Sequence, residues 1–254
     1  MSSQLRGLSF VNNERVLAYT PNSARYINEN GEVSPVKQTS ALNRGWLFAT
    51  HFNTQPIRLS VDVRSKMRLD DLVSGMTVAE FEMPMDSYMS AGGAISDDER
   101  RVAAWRAGHL VVWDVPSSKP VFQYPQTSEK WRFISGDLSK DGRQLFVTKN
   151  PASSGAFRPH LETWDVEAGE MLHSITYPDP AIWIQALDNG QVLLLGHRGH
   201  LHQVNPGDGS LVAMSLPLGR VTHSSSLPWR FVRPRDDRWL AIPQPQGHVL
   251  VMLP

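Results

Sequence analysis

The chain has 254 residues, 41% of them apolar, with 25 basic residues against 25 acidic ones and no cysteine. That length buries a sizeable core, a zero net charge supplies no overall field toward nucleic acid or an acidic membrane, and the lack of cysteine excludes disulfides, thiolate catalysis and cysteine-bound zinc. No stretch approaches the roughly 18 apolar residues of a membrane helix, and the opening MSSQLRGLSF has no apolar core of a secretion signal, so the composition reads as a soluble, cytoplasmic protein that binds neither membrane nor nucleic acid.

The elements in chain order are short strands in a recurring pattern. A tight hairpin, with a polar Asn/Asp/Gly turn between two apolar runs, is predicted at LSFVNNERVLAYT, AISDDERRVAAW, DLSKDGRQLFVT, ALDNGQVLLLG and VRPRDDRWLAI, and in a poorer form at ALNRGWLFATH. Each hairpin is followed by a second motif, a strand ending in an Asp or Asn, a turn, and a new strand. It is clearest in HLVVWDVPSSKPVFQY, HLETWDVEAGEMLHSI and KMRLDDLVSGMTVAEF, and weaker in SARYINENGEVSPV, HLHQVNPGDGSLVAM and GHVLVMLP. The register positions are Asn28, Asp71, Asp114, Asp165, Asn205 and Leu253, spaced 43, 43, 51, 40 and 48 residues apart.

That spacing brackets the about 40–45 residues of one propeller blade. Each unit supplies four strands, and one such sheet buries too little alone, so the units are expected to pack face to face around an axis. The predicted fold is an all-β propeller of about six four-stranded blades, approximately 5–38, 40–83, 88–125, 129–177, 180–217 and 222–254, with the last blade incomplete. Trp113-Asp114 and Trp164-Asp165 match the Trp-Asp signature of WD-repeat β-propellers, and SKDGRQLFVT is similar to that family's inner hairpin. Across its whole length the chain resembles that family in a degenerate form, because Gly108-His109 and Gly247-His248 sit just before the Trp-Asp strand and not well upstream of it.

Within the pattern, Trp113 and Trp164 read as rings packed between sheets, and Asp114 and Asp165 as carboxylates that fix the following turn by accepting backbone N–H bonds. His197, His200 and His202 in GHRGHLH are the one metal-ligand candidate, since alternate residues of a strand share a face. A solvated turn is the plainer reading, so no metal or cofactor is expected. No G-x-S-x-G elbow, phosphate loop or H-E-x-x-H helix occurs.

The residues that point to binding are aromatic and basic. Trp131, Trp183 and Trp229 stand at similar places in three consecutive blades, where a loop is expected to lead into the inner strand, and Tyr88 with Met89 stands there in the third blade. Arg132 and Arg230 adjoin two of them, and Trp, Tyr and Arg are the residue types enriched at interface hot spots. The stretch 149–162, KNPASSGAFRPHLE, reads as a surface loop on the same rim and presents Phe157 and Arg158. The expectation is a non-enzymatic scaffold or complex subunit that binds another protein through this rim. The alternatives are a toxin-neutralising inhibitor of the immunity-protein type, or a hydrolase or lyase with a site in a central channel. A further expected partner contact is strand addition at Gly247 to Leu253, which no outer strand of the sixth blade covers.

Overall fold

The computed structural model describes residues 7–12, 15–19, 24–28, 30–35, 46–52, 56–61, 66–71, 74, 76–82, 91–106, 109–125, 131–151, 159–177, 181–196, 198–214, 239–244 and 247–252. Among them the only regular elements are strands, and no helix is long and apolar enough to cross a membrane. The strands form antiparallel sheets in which each strand pairs with the next along the chain. They are β1 (Gly7–Asn12), β2 (Arg15–Tyr19), β3 (Ala24–Asn28) and β4 (Val33–Pro35); β5 (Trp46–Phe52), β6 (Pro56–Val61), β7 (Lys66–Asp71) and β8 (Thr77–Glu82); β9 (Ala91–Ile95), β10 (Arg101–Arg106), β11 (His109–Asp114) and β12 (Lys119–Gln123). Then follow β13 (Trp131–Leu138), β14 (Gln144–Pro151), β15 (His160–Asp165) and β16 (Glu170–Thr176); β17 (Ala181–Ala186), β18 (Val192–Gly196), β19 (Leu201–Val204) and β20 (Leu211–Met214); and a hairpin of β21 (Trp239–Gln244) and β22 (Gly247–Met252). Each sheet falls inside one of the six repeat spans.

The second repeat departs from expectation. Trp46–Phe52 is a single strand, β5, whose antiparallel partner is the following strand, β6, so the apolar run of ALNRGWLFATH pairs forward along the chain. The aromatic residues of WLFATHF favour that strand; Asn43, Arg44 and Gly45 lie outside the described residues.

The chain divides into two compact units, one of residues 83–222 and one that joins residues 1–82 to 223–254. In the first of these, β13 lies between β9 and β17. Burial explains the sequence: a strand covered on both faces needs no polar alternation. Leu145 and Val147 of β14 belong to a core shared with Ala103, Val112 and Phe122 of the β9–β12 sheet, while Phe146 between them belongs to a core shared with Ile184, Val192 and Leu194 of the β17–β20 sheet. Burial falls toward the outermost strand, and of β16 only Ile175 is not fully exposed.

The three turns that open these sheets are stitched together. The Asp98 N–H donates to the Lys140 carbonyl at 3.1 Å, and Lys140 Nζ pairs with Asp188 at 3.2 Å. One end of the unit therefore carries the turns between first and second and between third and fourth strands. The opposite end carries the connections between second and third strands and from sheet to sheet. They are called the turn end and the open end below.

Candidate functional site

At the five described register positions the same contact recurs, and it explains the Asp or Asn there. Asn28 Oδ1 accepts the N–H groups of Asn30 at 3.1 Å and Glu32 at 2.8 Å, Asp71 Oδ1 that of Ser74 at 3.2 Å, and Asp165 Oδ1 those of Glu167 at 2.9 Å and Ala168 at 2.8 Å. Asn205 Oδ1 accepts the Gly207 N–H at 3.0 Å, and Asp114 Oδ2 accepts both the Ser117 N–H at 3.1 Å and its hydroxyl at 2.6 Å. Asp114 also pairs with Arg101. These bonds, that from Ser117 foremost, hold the Asp114 carboxyl below the usual carboxylate range. Both Trp-Asp pairs are thus structural: Trp113 is buried, and the Trp164 ring lies 5.4 Å from Phe122 and 5.2 Å from Tyr124 of the preceding sheet.

The most concentrated polar chemistry is buried between the β9–β12 and β13–β16 sheets. Lys149 Nζ stands 2.6 Å from Glu162 Oε1, each side chain about 5% exposed. The other carboxylate oxygen accepts Trp164 Nε1–H at 3.0 Å and the Tyr124 hydroxyl at 3.2 Å, and Lys149 Nζ also donates to that hydroxyl. The ammonium lies 5.1 Å from the Tyr124 ring centre. Burial, and then the Glu162 carboxylate, push the Tyr124 hydroxyl well above the ordinary tyrosine pKa. Lys149 alternates with Leu145 and Val147 along one face of β14, so an ion pair occupies a position that the strand pattern gives to an apolar residue. Every Glu162 oxygen has a partner, which is the condition under which a charge is tolerated in such a place.

This corrects the reading of 149–162 as a surface loop at its two ends, residues 152–158 lying outside those described. Lys149–Pro151 continue β14, His160–Glu162 begin β15, and Lys149 and Glu162 meet diagonally across the paired strands, where Lys149 is opposite His160 and Glu162 opposite Val147. Phe157 and Arg158 lie outside the described residues, as do Tyr88, Trp229 and Arg230. Trp131 and Arg132 are not in a loop but open β13, where Trp131 pairs with Pro151 and Arg132 with Asn150. Trp183 is the third residue of β17, paired with Leu195, and is half-buried. The strand preference of Trp accounts for the difference.

The histidine cluster also differs from a solvated turn. His202 lies in β19, 8% exposed, with its ring edge-on to Tyr177 at 5.4 Å, and His200 precedes the strand with its ring 5.9 Å from that of His202. His197 lies outside the described residues, and among those described no three His, Cys, Asp or Glu side chains group as a metal site would need. β22 pairs with β21 from Gly247 to Met252; Leu253 lies outside the described residues.

No protein-family model matches the chain, and no curated protein matches it either. The buried Lys149–Glu162 network can fix the relation of two sheets. Side-chain bonds also join the inner strands β13 and β17, with Ser135 Oγ accepting the Ile184 N–H at 3.2 Å and Asp137 Oδ2 accepting the Ala186 N–H at 2.8 Å.

Proposed function

We propose that the chain is a WD-like β-propeller of about six blades that binds another protein through its open end and carries out no chemistry itself. The observation that carries the reading is the difference between the two ends of residues 83–222. Every described turn at the turn end is short and closed on its own side chains, as in Ser96 and Asp98, Ser139 and Asp141, or Asn189 and Gln191. The open end carries the longest connections of the unit, those from β12 to β13 and from β14 to β15, and the start of β13 at Trp131 and Arg132. Loops of varying length on a rigid scaffold are where binding residues concentrate.

Three observations favour the ring. The four-stranded meander recurs at the predicted period, the inner strands β9, β13 and β17 lie side by side, and β21 and β22 share a compact unit with β1–β8 although they are at the other end of the chain. A solenoid that does not close would leave its last strands far from its first.

The test is affinity capture from the native host with three forms of the full chain: unchanged, Trp131→Ala with Trp183→Ala at the open end, and Lys140→Glu with Arg143→Glu at the turn end. A specific partner retained by the turn-end variant and lost by the open-end variant is expected. Hot-spot truncations cost about 2 kcal/mol or more each, enough for near-complete loss. Equal retention by both variants would overturn the assignment to this end.

A further inference from the structure

The outermost strands differ in how they guard their free edges. In β8, β12, β16 and β20 one residue bulges out of the pairing with the preceding strand, at Val78, Val121, Leu172 and Val212 in turn. After the bulge β12 and β20 keep only two regular residues each, and β8 keeps four but sets Glu80 and Glu82 among them. β4 is three residues long and ends in Pro35. Short strands, charges and proline are the devices by which natural sheets block an edge. β16 runs on from its bulge through His173, Ser174, Ile175 and Thr176, with no Pro, Lys, Arg, Asp or Glu. All of these but half-buried Ile175 are exposed, and among the described residues no strand lies beyond β16 in its sheet. The Tyr177 N–H donates inward to the Pro159 carbonyl at 2.8 Å. By the alternation of an antiparallel ladder, Ile175 also bonds toward β15, and the N–H and C=O groups of Ser174 and Thr176 point away from the sheet.

We propose that two copies of the chain join through this edge, β16 against β16, antiparallel about a two-fold axis at Ile175. The strand is complementary to itself in that register. Ser174 lies opposite Thr176 of the second copy, and Thr176 opposite its Ser174, so four main-chain bonds form and hydroxyl faces hydroxyl in both pairs. Ile175 meets the Ile175 of the second copy at the narrow, non-hydrogen-bonded spacing, apolar against apolar. A shift of two residues toward the bulge would set Thr176 opposite Leu172 and leave one regular pair. The surroundings suit the same occupant. Met171 and Leu172 are 49% and 41% exposed. The turn that leads into β20 packs beside Ile175, where a Cβ added to Gly209 would lie 3.2 Å from Ile175 Cδ1, and β20 opens with exposed Leu211 and Val212. Contiguous exposed apolar groups mark contact surfaces. The chain has a formal net charge of zero, so no overall repulsion keeps two copies apart. One patch that pairs with itself gives a closed two-fold dimer rather than a fibre. This contact is additional to the one proposed for the open end, and neither depends on the other.

The test is sedimentation velocity of the full chain over a concentration series, with the thermal midpoint of each variant as a check on folding. A reversible monomer–dimer equilibrium is expected for the unchanged chain. Ser174→Pro removes an outward N–H and leaves the bonds to β15 in place; it should raise the dissociation constant at least about tenfold, the equivalent of about 1.4 kcal/mol. Ser174→Lys with Thr176→Lys sets cation opposite cation in both pairs and should have the same effect, whereas Ser174→Lys with Thr176→Glu sets cation opposite carboxylate in both and should keep the dimer. Both positions are exposed, so these two variants decide the matter even where the proline variant fails to fold. A chain that stays monomeric at every concentration would overturn the proposal. So would a dimer indifferent to a folded Ser174→Pro variant, or one that responds equally to the two lysine variants.

Discussion

At Glu99 and Ser118 the backbone enters the left-handed region, with φ of 60° and 55°, at turn positions where other sheets have glycine. Glu99 corresponds to Gly142 (φ 67°) and Gly190 (φ 79°) in the opening hairpins, and Ser118 to Gly169 (φ 68°) and Gly209 (φ 76°) after the register Asp or Asn. A side chain in that region costs roughly 1–2 kcal/mol, partly offset on substitution by the greater freedom of glycine in the unfolded chain. Glu99→Gly and Ser118→Gly should therefore each stabilise the protein by up to about 1 kcal/mol, seen as a rise in the thermal midpoint. Gly142→Ala should do the reverse, since its added Cβ would also lie 2.4 Å from Arg101 Cγ. A lower midpoint for both glycine variants would show that the local bonds of Glu99 and Ser118 outweigh the strain.

The register carboxylates make a prediction about pH. Asp114 is depressed below its ordinary 3.8, so its contribution is fully present above that value and is lost as pH falls through the lower folded-state value. Asp114→Asn keeps an oxygen for the Ser117 N–H but cannot titrate. Its stability should therefore fall less steeply than that of the unchanged chain below about pH 4, in urea melts taken at successive pH values. Parallel acid limbs would mean that the bond to Ser117 does not distinguish the charged form.

At the scale of the element, the Lys149–Glu162 pair ties β14 to β15 and, through Tyr124 and Trp164, one sheet to the next. Removing one partner of a buried pair leaves an uncompensated charge and costs about 3–5 kcal/mol, whereas replacing both with apolar residues of similar volume is often neutral or stabilising. Lys149→Met and Glu162→Leu are thus each expected to be severely destabilising, and the double variant to lose less than the sum of the two in a denaturant double-mutant cycle, although Tyr124 and Trp164, left without their acceptor, keep it below the unchanged protein. Additive losses would show that Tyr124 and Trp164, not the ion pair, hold the network. A smaller effect belongs to Gly92, whose added Cβ would meet the Trp105 indole at 2.5 Å, so Gly92→Ala should cost about 1–3 kcal/mol by overpacking.

The same elements show what could be read in the sequence and why. The register turns were legible because their cause is local: an Asp or Asn oxygen bonds N–H groups two to four residues on, and the chain repeats the device. The strand runs in β14 and β18 were legible because burial on both faces leaves an unbroken apolar run. Lys149 and Glu162 were not, because their burial depends on a tyrosine 38 residues from Glu162 and in another sheet, and a Pro, Ser and Gly-rich neighbourhood pointed to a loop. The pairing of β5 with β6 was missed for a similar reason, with Asn-Arg-Gly carrying the stronger local signal. Of the candidate contact residues Trp131, Arg132 and Trp183, the aromatic and basic character could be read, but their position in strands followed from pairing with β14 and β18.

For the whole molecule, the proposed ring makes a claim that a row of sheets does not. In a closed array the first sheet has a neighbour on each side, and stability is about the sum of unit and nearest-neighbour terms. β21 and β22 share a compact unit with the N-terminal sheets, so removing residues 247–254 should deprive β1–β4 of support while β13–β20 keep both their own cores. Amide exchange on the truncated chain should then quicken at Leu17 and Ile27, in β2 and β3, while Leu193 and Leu194, wholly buried in β18, exchange as before. Unaltered protection of β2 and β3 would be the signature of an open row. Uniform acceleration through β18 would instead mean that the chain unfolds as one cooperative body, in which a ring and a row are told apart by cross-linking β22 to β1: a ring accepts the link with no loss of stability.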